Sequence, residues 1–258
     1  MADTATSLLR HRASVSSGAL TSLGLLSGFE LRHDELPVRL PLSAQRLIAF
    51  LALQRRAVQR VYVAGTLWID SSQEAANASL RTALWRARRP RFRLVDATPT
   101  HLALSASVLV DLHEASAVAH RVMRECATAQ AADLEELALA GELLPDWYED
   151  WVVLERERFR QVRLHALEAL CDELAVQGRY AEAVEAGLAA IAAEPLRESA
   201  HRAVVRAHLA EQNRGEALRQ YELFRRLLAE QLGLEPSAEM ERLRDQCRSG
   251  DGSVTRIE

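Results

Sequence analysis

The chain has 258 residues, 48% of them hydrophobic, so it can form two domains with buried cores and is not a disordered protein. The formal net charge is -4, and all 32 basic residues are arginine, which excludes chemistry that requires lysine, such as a P-loop or a Schiff base. The three cysteines lie far apart in the sequence, which argues against a disulfide framework and a zinc site.

The sequence has no apolar run of roughly 18 residues, and the first 22 residues lack the apolar core of a signal peptide. We therefore expect a cytoplasmic protein that does not contact a membrane, with a flexible tail over residues 1–22. The eight histidines are scattered and form no HExxH pattern, and no nucleophile elbow is present. We expect no metal, no cofactor and no enzymatic activity.

The charge is divided unevenly along the chain. Residues 1–110 carry 14 arginines against 7 acidic residues, whereas residues 111–258 carry 18 arginines against 29 acidic residues. A basic half followed by an acidic half indicates one domain that binds a polyanion and a second domain with another task.

The first elements along the chain are short strands and short helices. Residues 23–33 and 38–40 have the pattern of strands, with a turn between them. Ser43 is predicted to cap a helix over residues 44–55, and a polar loop then leads to a short helix over residues 61–68.

The next element, which we call the arginine helix, covers residues 74–89. Ser71 and Glu74 have the spacing of a capping box, and Pro90 predicts the end of the helix at about Arg89. One side of the helical wheel is apolar, and it comprises Ala76, Leu80, Leu84 and Ala87. The opposite side is mainly cationic with one indole, and it comprises Ala78, Arg81, Thr82, Trp85, Arg86 and Arg89. By itself, such a face is equally typical of a solvated surface.

Two further strands are predicted after Pro90, over residues 92–95 and 101–104, joined by a turn over residues 96–100. A sheet, three helices with a basic third helix, and a hairpin are typical of a winged helix-turn-helix. A four-stranded sheet before the helices is typical of the OmpR-type variant. The alternative is a small α+β domain with an incidental basic helix.

From residue 111 the pattern is almost entirely helical. An apolar and acidic connection over residues 141–150 precedes one long predicted helix, and we interpret its aromatic residues as an interface or a capped helix start. AEAV at residues 181–184 recurs as GEAL at residues 215–218, a spacing of 34 residues that is typical of tetratricopeptide helix pairs. The predicted helices cover residues 112–124, 133–140, 151–176, 180–193, 197–211, 215–231 and 237–247.

Five stretches resemble the Streptomyces antibiotic regulatory protein (SARP) family, in which an OmpR-type winged helix precedes a bacterial transcriptional activator domain. EPLRES at residues 194–199, followed by LGLEPS at residues 232–237, is the most specific pair. The likeness covers residues 23–247, and the stretches are residues 40–53, 78–89, 143–174, 194–210 and 215–240. The fold class expected is mainly α with a small α+β domain, namely a winged helix over residues 23–110 and an all-α, tetratricopeptide-like domain over residues 111–258.

The candidate DNA-binding residues on the arginine helix follow from their positions. Arg86 is on the exposed side and can donate to guanine O6 and N7, a role that the family resemblance also implies. Thr82 can contact a thymine methyl group, and Arg81 and Arg89 are candidates for phosphate contacts. Arg88 is nearer the apolar side, and two alternatives stay open for it: pairing within the protein, or a phosphate contact from the edge of the helix. For Trp85 two interpretations stay open: burial against the protein, or packing on DNA sugars or thymine methyl groups.

Three further candidates lie outside this helix. Ser43 is expected near the N-terminus of its helix, where a phosphate can bind. Thr98 and Thr100 are expected at the tip of the wing, beside His101.

The function implied by the resemblance is sequence-specific activation of transcription, with direct repeats in promoter DNA as the target and secondary-metabolite genes as the regulated set. The expected partners are double-stranded promoter DNA, RNA polymerase holoenzyme and a second protomer bound side by side on DNA. Two alternatives stay open: a tetratricopeptide-type scaffold that binds proteins, and a regulator whose helical half senses a small ligand.

Overall fold

The structure is a computed structural model that describes residues 20–125 and 130–249. Nearly all of the tail predicted over residues 1–22 lies outside this part of the chain. The chain forms two compact units. The first unit contains the chain up to Ala115 together with Ala140–Arg160, and the second contains Ser116–Leu139 and the chain from Gln161 onward. The domain boundary between residues 110 and 111 stays a prediction.

Among the described residues, the first unit contains seven short strands and three helices that belong to it entirely. In chain order they are β1 Thr21–Gly24, β2 Glu30–His33, β3 Leu36–Pro37, α1 Leu42–Gln54, β4 Val58–Gln59, α2 Arg60–Leu67, α3 Gln73–Ala87, β5 Val95–Ala97, β6 His101–Leu104 and β7 Val108–Val110. Helix α3 is the arginine helix.

The strands form two sheets, and their topology corrects one prediction. The larger sheet has the order β3-β2-β1-β7, so only three of its strands precede the helices. The fourth strand follows the hairpin and pairs in parallel with β1, with Thr21 opposite Val108. The smaller sheet has the order β4-β6-β5, and β4 lies in the segment predicted to be a polar loop because the buried Val58 pairs with Leu102 of β6.

The helix caps differ from the predicted ones. Pro41, not Ser43, is the N-cap of α1, so Ser43 lies within the first turn. Ser72, not Ser71, caps α3, because its Oγ accepts a hydrogen bond from the Ala75 N–H at 3.3 Å. Consecutive serines have the same capping chemistry, so the sequence alone does not distinguish them.

The end of α3 and the start of the hairpin are also shifted. Helix α3 ends at Ala87, because Arg88 is already extended (φ -63, ψ 137) before the segment restricted by Pro90. Strand β5 begins at Val95, at the end of the predicted strand over residues 92–95, so the turn of the hairpin is shorter than expected. Strand β6 matches its prediction.

Helix α1 is the centre of the first unit's core. Seven consecutive residues from Leu47 to Leu53 are buried, so this helix is covered on all sides. Leu143, Leu144 and Val152 from the later segment Ala140–Arg160 join the same core. Trp151 meets Phe50 of α1 edge-on, with ring centroids 5.3 Å apart.

A buried carboxylate connects the end of β1 with the helix that follows β7. The Asp111 carboxylate accepts hydrogen bonds from the backbone N–H groups of Leu25 (2.9 Å), Leu26 (3.0 Å) and Leu112 (2.6 Å). Burial raises the pKa of Asp111 to about 6, although the three N–H donors favour the ionised form. The group therefore contributes a pH-dependent term to stability.

Helices dominate the rest of the chain. They are α4 Asp111–Arg124, α5 Ala131–Leu139, α6 Asp150–Val176, α7 Tyr180–Ala193, α8 Glu198–Ala210, α9 Arg214–Leu232 and α10 Ala238–Ser249. Helices α4 and α6 begin in the first unit and continue in the second. None of the helices in the described ranges is long and apolar enough to cross a membrane.

In the second unit, α7 packs on α8 and α8 packs on α9, as expected of tetratricopeptide-like helices that contact their neighbours in the sequence. Gly187 allows the close approach of α7 and α8, because a Cβ atom there would lie 2.4 Å from Cγ2 of Val204. The predicted fold class, a winged helix followed by a tetratricopeptide-like helical region, is confirmed.

The two sequence patterns that carry the family resemblance have structural roles in this unit. From EPLRES, Arg197 and Ser199 both donate to the Glu168 carboxylate of α6, each at 2.6 Å. Glu198 accepts hydrogen bonds from the backbone N–H (2.9 Å) and the hydroxyl of Ser237, the last residue of LGLEPS. Each of the two patterns thus supplies one side of the contact that holds α10 near α8.

Candidate nucleic-acid interface

Helix α3 has one buried face and one exposed face, as its sequence predicts. The buried residues pack against α1 and α2, and they are Ala76, Leu80, Ala83 and Ala87. The exposed residues of α3 are Gln73, Glu74, Ala75, Ala78, Arg81, Thr82, Trp85 and Arg86, and Arg88 just after the helix is exposed as well. The face predicted to contact DNA is thus available to solvent, whereas Leu84 is half-buried.

Two of the predicted residues from different helices meet at this face. The Arg86 guanidinium donates to Ser43 Oγ at 3.4 Å, which brings the first turn of α1 next to the C-terminal half of α3. The contact is long and its acceptor is neutral, so the guanidinium keeps its positive charge and most of its donors. Thr82 donates its hydroxyl proton to the backbone oxygen of Ala78 at 3.1 Å and leaves its methyl group exposed.

Trp85 lies in the middle of the exposed face. Its side chain is 71% exposed, which rules out burial against the protein. The other three tryptophans, Trp68, Trp147 and Trp151, are half-buried. Trp85 is therefore the one tryptophan of the chain that presents most of its indole to solvent.

Arg89 has a different environment from the other arginines of α3. Its guanidinium donates to the backbone oxygens of Arg86 (2.8 Å), Arg88 (2.7 Å) and Arg39 (2.9 Å). These bonds satisfy carbonyl groups at the C-terminus of α3 and attach this end to the chain before α1. A phosphate contact by Arg89 stays a prediction.

The hairpin β5–β6 is closed by the two threonines predicted at its tip. Thr98 Oγ1 accepts from the backbone N–H groups of His101 (2.9 Å) and Thr100 (3.4 Å). The Thr100 hydroxyl lies 3.0 Å from Nδ1 of His101. Both threonines are exposed, and their side chains also shape the turn.

Arg60 is a residue of this region that the sequence did not reveal. Its Nε donates to the backbone oxygen of Thr98 at 3.0 Å, and its backbone N–H donates to Thr100 at 2.9 Å. Arg60 therefore holds the turn of the hairpin against the start of α2. In the sequence, Arg60 is recognisable only as an arginine between a predicted loop and a predicted helix, and many arginines without such a role have this position.

A cleft of about 450 Å³ lies between the end of α3 and the hairpin. Its apolar part is formed by Leu84, Phe92 and Val95, and its charged lining by four arginines, namely Arg60, Arg88, Arg89 and Arg93. The one acid that pairs with these is Asp96, 3.4 Å from Arg93 in an exposed contact within the described chain.

The charge of this surface is thus positive and largely uncompensated. Among the described residues, Arg81, Arg86 and Arg88 have no carboxylate within ion-pair distance. Duplex DNA has the complementary chemistry, because its phosphates are negatively charged and its base edges present hydrogen-bond donors and acceptors.

The family comparison agrees with the second unit's architecture. Residues 109–248 match the family model described as bacterial transcriptional activator domain, which is more than half of the chain. The chain belongs to this family. The family is regulatory rather than enzymatic, and the resemblance to SARP-type transcriptional activators is confirmed.

The chain is also similar to a curated relative and to a solved structure. It is 28% identical over 220 residues to the regulatory protein AfsR of Streptomyces coelicolor, with 82% of this chain and 22% of that protein covered. The chain thus spans about a fifth of the length of that relative. Mycobacterium tuberculosis EmbR, solved with a low-affinity phosphopeptide, has the same fold, with a TM-score of 0.69 and 20% identity over 91% of this chain and 66% of that one.

Proposed function

We propose that this activator-family protein binds promoter DNA sequence-specifically through its winged helix and activates transcription. Residues 23–110 are the DNA-binding domain and residues 111–258 the activator domain. Helix α3 enters the major groove, and the hairpin β5–β6 reaches the adjacent minor groove. Tandem protomers on direct repeats recruit RNA polymerase holoenzyme, at promoters of secondary-metabolite genes.

The observation that supports DNA binding most directly is the exposed face of α3. Arg81, Thr82 and Arg86 lie on this face with their charged or hydrogen-bonding groups accessible. In this proposal Arg86 contacts guanine, and Arg81 and Arg88 contact the phosphates that flank the groove. Ser43 adds a hydroxyl beside Arg86, in the first turn of α1.

Selection of bound sequences from a random duplex library, with the whole chain as bait, tests the DNA-binding part. We expect an enriched motif that occurs twice in the same orientation, because side-by-side protomers require direct repeats whereas two-fold dimers require palindromes. Enrichment of palindromes, or of no sequence at all, would contradict the proposal.

Transcription in vitro with purified RNA polymerase holoenzyme tests the activator part. A promoter that carries the selected repeats is expected to give more transcript when the protein is added, and the same promoter with scrambled repeats is the control. The Arg219→Ala variant is a matched control for loss of one arginine, because Arg219 is exposed and pairs with Glu216 on α9. It is expected to activate as the wild type does.

A further inference from the structure

The exposed indole in the last turn of α3 is not part of either hydrophobic core that the described residues of the first unit form. Trp85 is 71% exposed, and an exposed large aromatic side chain in a small domain is typical of a contact surface. Arg81 lies one turn before it on the helix and Arg88 lies just after the end of α3, and both are exposed. Any apolar group that packs on this indole therefore has positive charge on both sides, which favours an apolar group that is part of a polyanion.

In the major groove of DNA, one base-pair feature is apolar. The floor of the groove presents donors and acceptors, except for the C5-methyl group of thymine. Beside this methyl group thymine presents O4, which accepts hydrogen bonds. Indole offers an apolar ring and a single polar group, the Nε1–H, which only donates.

Thymine therefore matches both properties of the indole, and cytosine matches neither. Cytosine has no methyl group, and its N4 amino group places a donor where thymine has O4, so that two donors face each other. A contact with sugars, by contrast, would give no preference among bases.

We propose that Trp85 selects thymine at one base pair of each site by packing on its methyl group and donating to its O4. The inference rests on the proposed DNA binding and assigns a base preference to a residue on which that function does not depend. Thr82, one turn earlier on the same exposed face, leaves its own methyl group free, and the two side chains together form an apolar strip along α3.

The test uses the whole chain and four versions of one selected site. Each thymine is first replaced in turn by uracil, which removes only the methyl group. At the sensitive position, cytosine and 5-methylcytosine are then compared opposite guanine. We expect the dissociation constant to be about three- to fivefold larger with uracil than with thymine, which corresponds to the loss of one buried methyl group. Replacing cytosine by 5-methylcytosine is expected to lower the dissociation constant by a similar factor.

Two variants separate the indole from the rest of the surface. Trp85→Ala is expected to bind thymine and uracil sites equally, and Trp85→Phe is expected to retain the methyl preference but to lose part of the preference for thymine over 5-methylcytosine. Because the indole is exposed, both variants are expected to unfold at the wild-type temperature, which thermal unfolding checks.

Fluorescence gives a second measurement that does not depend on affinity. Acrylamide is expected to quench the fluorescence of Trp85 in the free protein but not in the DNA complex. In Trp85→Phe this readily quenched component of the fluorescence is expected to be absent.

The results distinguish the two proposals. If the chain selects a sequence but no uracil substitution changes binding by more than twofold, or if Trp85→Ala keeps the same sensitivity, the thymine contact is refuted and DNA binding stands. If bound DNA leaves Trp85 open to acrylamide, the contact is also refuted. If the chain binds no DNA even at low salt, both proposals are refuted.

Discussion

Arginine is the basic residue of both units, but its surroundings differ between them. In the second unit, Arg197 and Arg206 donate to carboxylates of α6, and Arg206 does so with three hydrogen bonds of 3.1, 2.9 and 2.8 Å to Asp172. In the first unit, Arg81 and Arg86 of α3, and Arg88 just after it, have no carboxylate partner among the described residues. A paired arginine holds helices together, whereas an unpaired one keeps its charge for a partner molecule.

An arginine can also have its hydrogen-bond donors occupied while its positive charge stays uncompensated. Arg89 shows an intermediate case, since its guanidinium is occupied by three backbone oxygens and yet no acid neutralises it. Such an arginine supports the helix and keeps a positive field around it. Counting arginines in a sequence therefore overestimates how many can contact a ligand.

The largest expected effect concerns Glu168. Burial would raise the pKa of this carboxylate, but the hydrogen bonds from Arg197 and Ser199 outweigh burial and hold the pKa below its ordinary value. We expect Glu168→Ala to lower the free energy of unfolding by about 3 kcal/mol, because it leaves a largely buried guanidinium unpaired. Urea unfolding measures the change.

The control for this variant is Asp172→Ala, which removes the same kind of contact between the same helices. Asp172 and Arg206 are 49% and 40% exposed, and the loss of an exposed pair costs at most about 1 kcal/mol. Equal losses in the two variants would contradict the role assigned to Glu168.

The carboxylates of Asp111 and Glu168 are expected to respond to pH in opposite directions. The pKa of Asp111 is about 6 in the folded protein against 3.8 in the unfolded chain, so the folded state binds this proton more tightly. Its contribution to stability therefore rises by about 3 kcal/mol as pH falls from above 6 to below 4. For Glu168, whose pKa is lowered, the contribution is present above the unfolded pKa and is lost as pH falls.

Urea unfolding of the wild type and of Asp111→Asn between pH 4 and pH 7 checks this sign. The difference in free energy of unfolding between the two proteins is expected to change in favour of the wild type as the pH is lowered. A difference that is constant with pH, or one that changes in the other direction, would show that Asp111 is not held as described.

For Arg86, the comparison predicts an effect on binding and not on folding. Arg86→Ala is expected to weaken binding to the selected site by about 1–3 kcal/mol and to relax the preference at one base pair. Mobility shifts across a series of sites with single substitutions measure both. Unchanged preference at every position would exclude Arg86 as a residue that contacts a base.

The smallest expected effect is that of Arg81. Arg81→Ala should weaken binding to all sequences alike and reduce the slope of log K against log salt by about one, as for the loss of one phosphate contact. Titrations at several salt concentrations give the slope. The Arg219→Ala variant, in which a paired arginine is lost, should leave it unchanged.

Regular helices were predictable from the sequence because their apolar residues repeat over several turns. Helix α7 matches its predicted range, Tyr180–Ala193, and the buried side of α3 was identified from its spacing. The partner of β1 was not predictable, because Val108–Val110 is three residues long and pairs with a strand more than 80 residues earlier. Local patterns contain no information about such a pairing.

The candidate interface was predictable as a face and not as a set of contacts. Helical periodicity placed Trp85 and Arg86 on the exposed side of α3, where the structure has them. The contact of Arg86 with Ser43 and the hold of Arg60 on the hairpin depend on tertiary structure. The aromatic residues of the acidic connection were interpreted as an interface or a capped helix start, and α6 does begin at Asp150. What the sequence did not show is that Trp147 and Trp151 pack against the core of the first unit.

The segment Ala140–Arg160 has a consequence for recombination between relatives. It belongs to the first compact unit, although it lies inside the range that matches the activator domain. A chimera joined at residue 110 would combine Phe50 of one parent with Trp151 of the other and would divide one core between two lineages. A chimera that also carries residues 140–160 from the parent of the winged helix would keep that core intact, so the exchangeable module is discontinuous in the gene.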